Sequence, residues 1–116
     1  MALNIDIAPT LAQLAGVTPA GPVDGTSLLP LLKGNSPPWR TAFVEEYLGR
    51  RLNQALPPAY EAIRTERYLY VEYVNRWREL YDLRKDPHEL TNLANGSAAA
   101  PLRAQLAGRL RLLLAA

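Results

Sequence analysis

The chain has 116 residues, 48% hydrophobic and 21% charged, a composition that fits a globular domain with one modest core and lacks the length for two. Thirteen Lys and Arg against eleven Asp and Glu leave a net charge of +2 with no clustered basic run, so nucleic acid is not an expected partner. Cysteine is absent, which excludes disulfides, thiolate metal ligands and a cysteine nucleophile. The longest apolar run near the C-terminus, Leu112 to Ala116, falls far short of the roughly 20 residues a membrane span needs, and Met1 to Asn4 lacks the features of a signal peptide. A soluble protein without a membrane partner is expected; its compartment is unknown.

Asn4 or Asp6 can cap a helix over residues 6 to 15, where Ile7, Leu11, Leu14 and Ala15 fall at helical spacing, Pro9 sits in the first turn and Gly16 ends the run. Ten residues of isolated helix are marginal in water, so its apolar stripe calls for a larger partner. A Pro/Gly turn region, Val17 to Asp24, leads to a second short helix at Ser27 to Lys33. Leu28, Leu29, Leu31 and Leu32 make it apolar nearly all round, and Gly34 closes it. After a linker at Asn35 to Pro38, Thr41 to Tyr47 has strand composition and Leu48 to Ala59 reads as a surface loop. Tyr60 to Thr65 and Tyr68 to Tyr73 form a hairpin turning at Glu66-Arg67, and Trp77 to Leu83 returns as a fourth antiparallel strand. Asp86-Pro87-His88-Glu89 has the spacing of a helix N-terminus, giving one turn that would end near Asn95-Gly96. Leu102, Leu106, Leu110 and Leu113 predict a last helix, with Pro101 near its start, lying across one face of the sheet.

Catalysis needs titratable groups converging on one pocket, and few are available. His88 is the only histidine and reads as an exposed turn residue. Glu45 and Glu46 are strand neighbours that point to opposite faces, the wrong arrangement for an acid/base pair. Asp82 and Asp86 lack the surroundings of a calcium loop. Tyr60, Tyr68, Tyr70, Tyr73, Trp77 and Tyr81 read as cross-strand packing partners in preference to a stacking platform. Arg64 and Arg67 are expected to pair with Glu45, Glu46, Glu66 or Glu72. No catalytic, cofactor or metal residue is assigned. The loop arginines Arg50 and Arg51 suit an anionic ligand and are the candidates for a substrate rim, weighed against two solvated loop residues.

Several stretches together resemble the C-terminal portion of the sulfatase family, within the alkaline-phosphatase-like hydrolases. They are Asn4 to Leu11 continuing to Leu14-Ala15-Gly16-Val17, then Val23-Asp24-Gly25-Thr26-Ser27-Leu28 continuing to Gly34, and Trp39-Arg40. Ala62 to Tyr70, Glu79 to Leu83 and Lys85 to Ala94 follow in matching order and spacing. The resemblance implies that the first two stretches are the last helices of an α/β catalytic domain, and that the rest is a small antiparallel sheet covered by a helix. It also implies a formylglycine nucleophile, made from Cys or Ser in a Cys/Ser-x-Pro-x-Arg motif, and a calcium ion, both in a catalytic domain with no counterpart in these residues. Ser36-Pro37-Pro38-Trp39-Arg40 fits the letters of that motif but follows the leucine-rich helix, where the family has a linker, and is read as accidental.

The expected architecture is α+β: residues 1–38 as a remnant of the catalytic domain, and 39–116 as a C-terminal subdomain with a four-stranded antiparallel sheet. The expected role is packing, with a contribution to the substrate rim, in a sulfuric ester hydrolase whose active site is incomplete here. The partner is then the catalytic domain of the parent, or a second copy associating through Ile7, Leu11, Leu14, Leu28 and Leu32. A non-catalytic binding module on the same scaffold is the alternative, and a phosphonate or phosphate monoester hydrolase parent is a third reading, because a shared fold leaves the substrate open.

Overall fold

In the computed structural model, which describes residues 1–49 and 57–115, the chain forms two units, Met1–Arg40 and Thr41–Ala116. In unit 1 a 3-10 turn (Asn4–Asp6) runs into α1 (Ile7–Leu14), and α2 (Leu29–Leu32) is a single turn packed against α1, shorter than the predicted span of 27 to 33. Both helices stop the same way. Gly16 and Gly34 take φ of +69° and +80°, which side chains resist. The next residues, Val17 and Asn35, then donate back to the carbonyls of Ala12 and Pro30, satisfying groups that the helix ends leave free. Asp6 and Thr10 are the buried side chains of unit 1, while Ile7, Leu11, Leu14 and Leu32 are 55%, 60%, 59% and 70% exposed. Leu28 is half-buried.

Unit 2 is built on β1 (Ala42–Tyr47), β2 (Tyr60–Thr65), β3 (Tyr68–Tyr73) and β4 (Arg78–Asp82), an antiparallel sheet in the order β1-β2-β3-β4. Its register sets Val44 opposite Ile63, Ile63 opposite Tyr70 and Tyr70 opposite Leu80, so one apolar row crosses all four strands on one face. α3 (Ala100–Leu114) covers that face with Leu106, Ala107 and Leu110, and Ala42, Ala94 and the half-buried Leu102 extend the core. Each fully buried Leu is worth about 1.5–3 kcal/mol. The predicted leucine stripe fades at its end, where Leu113 is 38% exposed. The other face carries a smaller cluster, Ala62, Leu69 and Val71, flanked by Tyr60, Tyr73, Tyr81 and Leu83. The fold is α+β, and among the described residues no helix is long and apolar enough to cross a membrane.

Two predicted elements differ. Residues 86 to 95 form turns and no helix: the Asp86 carboxylate accepts from the N–H of Thr91, five residues on, and Glu89 sits at φ +57°, outside the helical region. Trp77 and Leu83 fall just outside β4. Trp77 ends a turn in which its carbonyl accepts from Tyr73 N–H and its own N–H donates to Asn75 Oδ1.

Candidate functional site

The Ser-x-Pro-x-Arg stretch resolves into structure. Ser36 is exposed, and the arginine four residues on is committed elsewhere. Arg40 grips Asp6 with two nitrogens, one bond being Nη2 to Oδ1 at 2.7 Å and the other Nη1 to Oδ2, and Trp39 Nε1 donates to the carbonyl of Met1 at 2.6 Å. Asp6 also accepts from the N–H groups of Leu3 and Thr26, both at 2.8 Å, so it joins three segments where the sequence suggested a helix cap. The Arg40 hydrogen bond, aided by Thr26 and Leu3 and opposed by burial, holds the Asp6 carboxyl well below the usual carboxylate range, and Asp6 in turn raises Arg40. Thr10 Oγ1 completes the tie, donating to the Asp6 carbonyl and accepting from Leu28 N–H at 2.9 Å. Gly25 is required here, since a Cβ would lie 2.0 Å from the Ile5 carbonyl oxygen.

In unit 2 Arg64 lies 3.7 Å from Glu45, as its strand position suggests, and 3.4 Å from Glu89. Arg67 pairs with Asp82 at 2.8 Å and with none of the four glutamates proposed for it, because the β3–β4 register brings Asp82 opposite Tyr68 beside the hairpin turn. That hydrogen bond lowers Asp82 and raises Arg67. Backbone N–H groups of Leu90 and Thr91 lower Asp86, and His88 is exposed on its turn. Among the described residues no three of His, Cys, Asp or Glu come together to hold a metal.

Surface chemistry concentrates at one end of the sheet. The 48–59 connection and the 74–77 turn both leave from that end, since they follow β1 and β3 in an antiparallel order. Arg50 and Arg51 lie outside the described residues. At the mouth of their connection Gly49 has φ +67° and an added Cβ would press on Ala59, whose carbonyl accepts from Val74 N–H. A cleft of about 290 Å³ opens there, lined by Glu46, Tyr47, Tyr60, Glu61, Glu72 and Tyr73 among others. Tyr60 packs between Tyr47 and Tyr73, with ring centres 5.7 Å and 5.5 Å away. Glu46, Glu61 and Glu72 are cross-strand neighbours in one row, an arrangement that repels unless countered, and Arg78 and Arg111 approach Glu72 to 3.8 Å and 3.9 Å. Tyr70 Oη donates to Glu72 at 2.6 Å; burial first, then that bond, push its pKa up to about 12. Burial and Glu79 raise Tyr81 likewise to about 12. The tyrosines thus pack as the sequence suggests, whereas Trp77 is 55% exposed and does not. Such an arrangement places charge and aromatic faces at a surface.

Residues 1–115 match the family described as N-sulphoglucosamine sulphohydrolase, C-terminal. Similar proteins include an N-acetylglucosamine-6-O-sulfatase of Bacteroides thetaiotaomicron, 32% identical over 80% of this chain and 17% of the relative, and a choline-sulfatase of Rhizobium meliloti, 39% identical over 78% and 17%. Among solved structures, the phosphonate monoester hydrolase of Agrobacterium radiobacter superposes with a TM-score of 0.79 at 36% identity, covering 95% of this chain and 24% of that one. The chain therefore spans about a fifth of the length of the relatives it matches.

Proposed function

We propose that this chain, which belongs to the sulfatase family through its N-sulphoglucosamine sulphohydrolase C-terminal domain, works as the C-terminal portion of a larger sulfuric ester hydrolase. In this role it packs on the catalytic domain and contributes to the substrate rim, without a complete active site of its own. The observation that carries the reading is the family match over residues 1–115 beside relatives about five times longer. The exposed Ile7, Leu11, Leu14 and Leu32 support it, because apolar side chains left in water gain free energy from a covering partner. Residues 1–38 then belong to the catalytic domain and 39–116 form the C-terminal subdomain. The calcium ion and formylglycine of the family lie in the remainder of the hydrolase, and Arg50 and Arg51 offer guanidiniums to an anionic substrate.

The test combines hydrolysis of an aryl sulfate by the purified chain, with calcium present, and light scattering. The expected result is no turnover together with self-association through the apolar side chains of unit 1. Turnover that disappears in Ser36→Ala would overturn the reading and make Ser36 a nucleophile. The likeness to a phosphonate monoester hydrolase favours a second substrate reading for the parent. An aryl phosphonate monoester assayed beside the aryl sulfate, on the parent, separates the two. A monodisperse oligomer without any larger hydrolase partner would instead favour the non-catalytic module.

A further inference from the structure

We propose that the outer edge of β1 pairs with β1 of a second copy of this chain, joining two four-stranded sheets into one across a two-fold axis. In an antiparallel sheet, successive residues of a strand aim their N–H and C=O groups at alternate neighbours. Val74 N–H donates to the Ala59 carbonyl between β3 and β2, so Glu61 and Ile63 bond to β3, and Tyr60, Ala62 and Arg64 bond to β1. Their opposites on β1, Tyr47, Glu45 and Phe43, face β2, which leaves Ala42, Val44 and Glu46 with their backbone groups turned outward. Among the described residues nothing bonds to those outward groups.

The other edge of the sheet is closed. By the same alternation Arg78 and Leu80 turn outward from β4, and there the Asn92 side chain imitates a strand. Its Oδ1 accepts from Leu80 N–H at 3.1 Å and its Nδ2 donates to the Arg78 carbonyl at 3.0 Å, while Leu93 N–H donates to the Leu80 carbonyl at 2.8 Å. β1 has no such cover, and no Pro, Gly or Lys interrupts Ala42–Tyr47 to blunt it. A row of unpaired donors and acceptors is a template for another strand.

Charge selects a second copy and sets its register. Centring the pair on Val44 places Val44 against its copy and Ala42 against Glu46 of the other subunit, which uses every outward donor and acceptor of these residues. A pair centred on Glu45 would set that carboxylate against its own copy, and one centred on Phe43 would carry Glu46 past the end of the other strand. In the Val44 register Glu46 of one copy lands beside Arg109 of the other, because Arg109 Nη2 donates to Thr41 Oγ1 at 2.5 Å, next along the chain from Ala42. Glu46 lacks that compensation within its own subunit: it stands opposite Glu61, and no described Lys or Arg forms an ion pair with it. The two-fold axis makes the contact twice.

The test is sedimentation velocity of the whole chain over a concentration series, with amide hydrogen exchange on the same samples. The expected result is a monomer–dimer equilibrium in which exchange at Ala42, Val44 and Glu46 slows as dimer forms. Glu46→Arg should weaken the dimer about tenfold, since symmetry counts the reversed contact twice, and adding Arg109→Glu should restore it. Glu46→Pro removes an outward N–H that the β1–β2 ladder does not use, and should abolish pairing with the circular dichroism unchanged. A chain that stays monomeric, outward amides that exchange equally at every concentration, or a dimer indifferent to Glu46→Arg would overturn the proposal. Association through the apolar side chains of unit 1 gives that last, indifferent pattern. No turnover is read, so failure here leaves the hydrolase reading intact.

Discussion

In unit 2 the fully buried side chains include Ile63, Tyr70, Leu80 and Leu110, whereas in unit 1 the fully buried side chain is Asp6, with Thr10 buried beside it. Unit 2 has the ordinary arrangement of one apolar sheet face under one helix, and apolar burial is its main source of stability. Unit 1 is held by an ion pair, four backbone N–H or carbonyl contacts to Asp6 and Thr10, and the close approach at Gly25, while Ile7, Leu11, Leu14 and Leu32 are exposed. The difference teaches that stability and shape can come apart. Polar ties specify a geometry, yet each exchanges water bonds for protein bonds at a small net gain.

Four changes would break or sharpen that contrast, and the two tryptophans give each unit its own fluorescence probe, Trp39 in unit 1 and Trp77 in unit 2. The largest effect is expected from Asp6→Ala, which strands Arg40 and frees three N–H or guanidinium partners. Breaking one side of a buried pair costs about 3–5 kcal/mol, and urea titration should show the Trp39 signal lost first with Trp77 unchanged. Leu110→Ala should do the reverse, lowering the unit 2 midpoint by about 2–5 kcal/mol as a cavity opens under α3. If both substitutions shifted both signals equally, the two units would unfold as one. Gly25→Ala forces the Ile5 backbone aside and should cost about 1–3 kcal/mol, read as altered amide shifts in residues 3–6 and 24–28.

Acid gives the mildest discrimination. Asp6 is depressed below its usual 3.8, so the stability it contributes is fully present above that pH and is lost as the pH falls through 3.8 toward its folded value. Asp82 and Asp86 are shifted the same way in unit 2. The Trp39 transition is nonetheless expected at higher pH than the Trp77 transition, because unit 2 retains its apolar core once its carboxylates are protonated. Coincident transitions would contradict the division.

The sheet was legible almost residue by residue. β2 and β3 were read with their observed limits, since alternation of apolar and polar residues and a two-residue reversal are local signals. α3 was legible from Leu102, Leu106 and Leu110. The helix expected after Asp86 was not formed, because the same cap chemistry also suits a turn, and Glu89 in the left-handed region chose the turn. Asp6 looked like a helix cap, the only role its neighbours define, and its partners at Thr26 and Arg40 are 20 and 34 residues away. For a like reason no local pattern brings Arg78, Arg103 and Arg111 together: they meet only once α3 is laid across the sheet.

By itself the sequence determined what periodicity and punctuation encode: four antiparallel strands, a covering helix, glycine stops at residues 16 and 34, and the absence of thiol chemistry. Tertiary structure decided which ionisable groups meet, that Arg40 is a structural partner of Asp6, and that Arg78, Arg103 and Arg111 share one surface. The physical reason is range. Backbone conformation is set by neighbours a few residues apart, whereas charge pairing and cavity lining depend on contacts that no local pattern records.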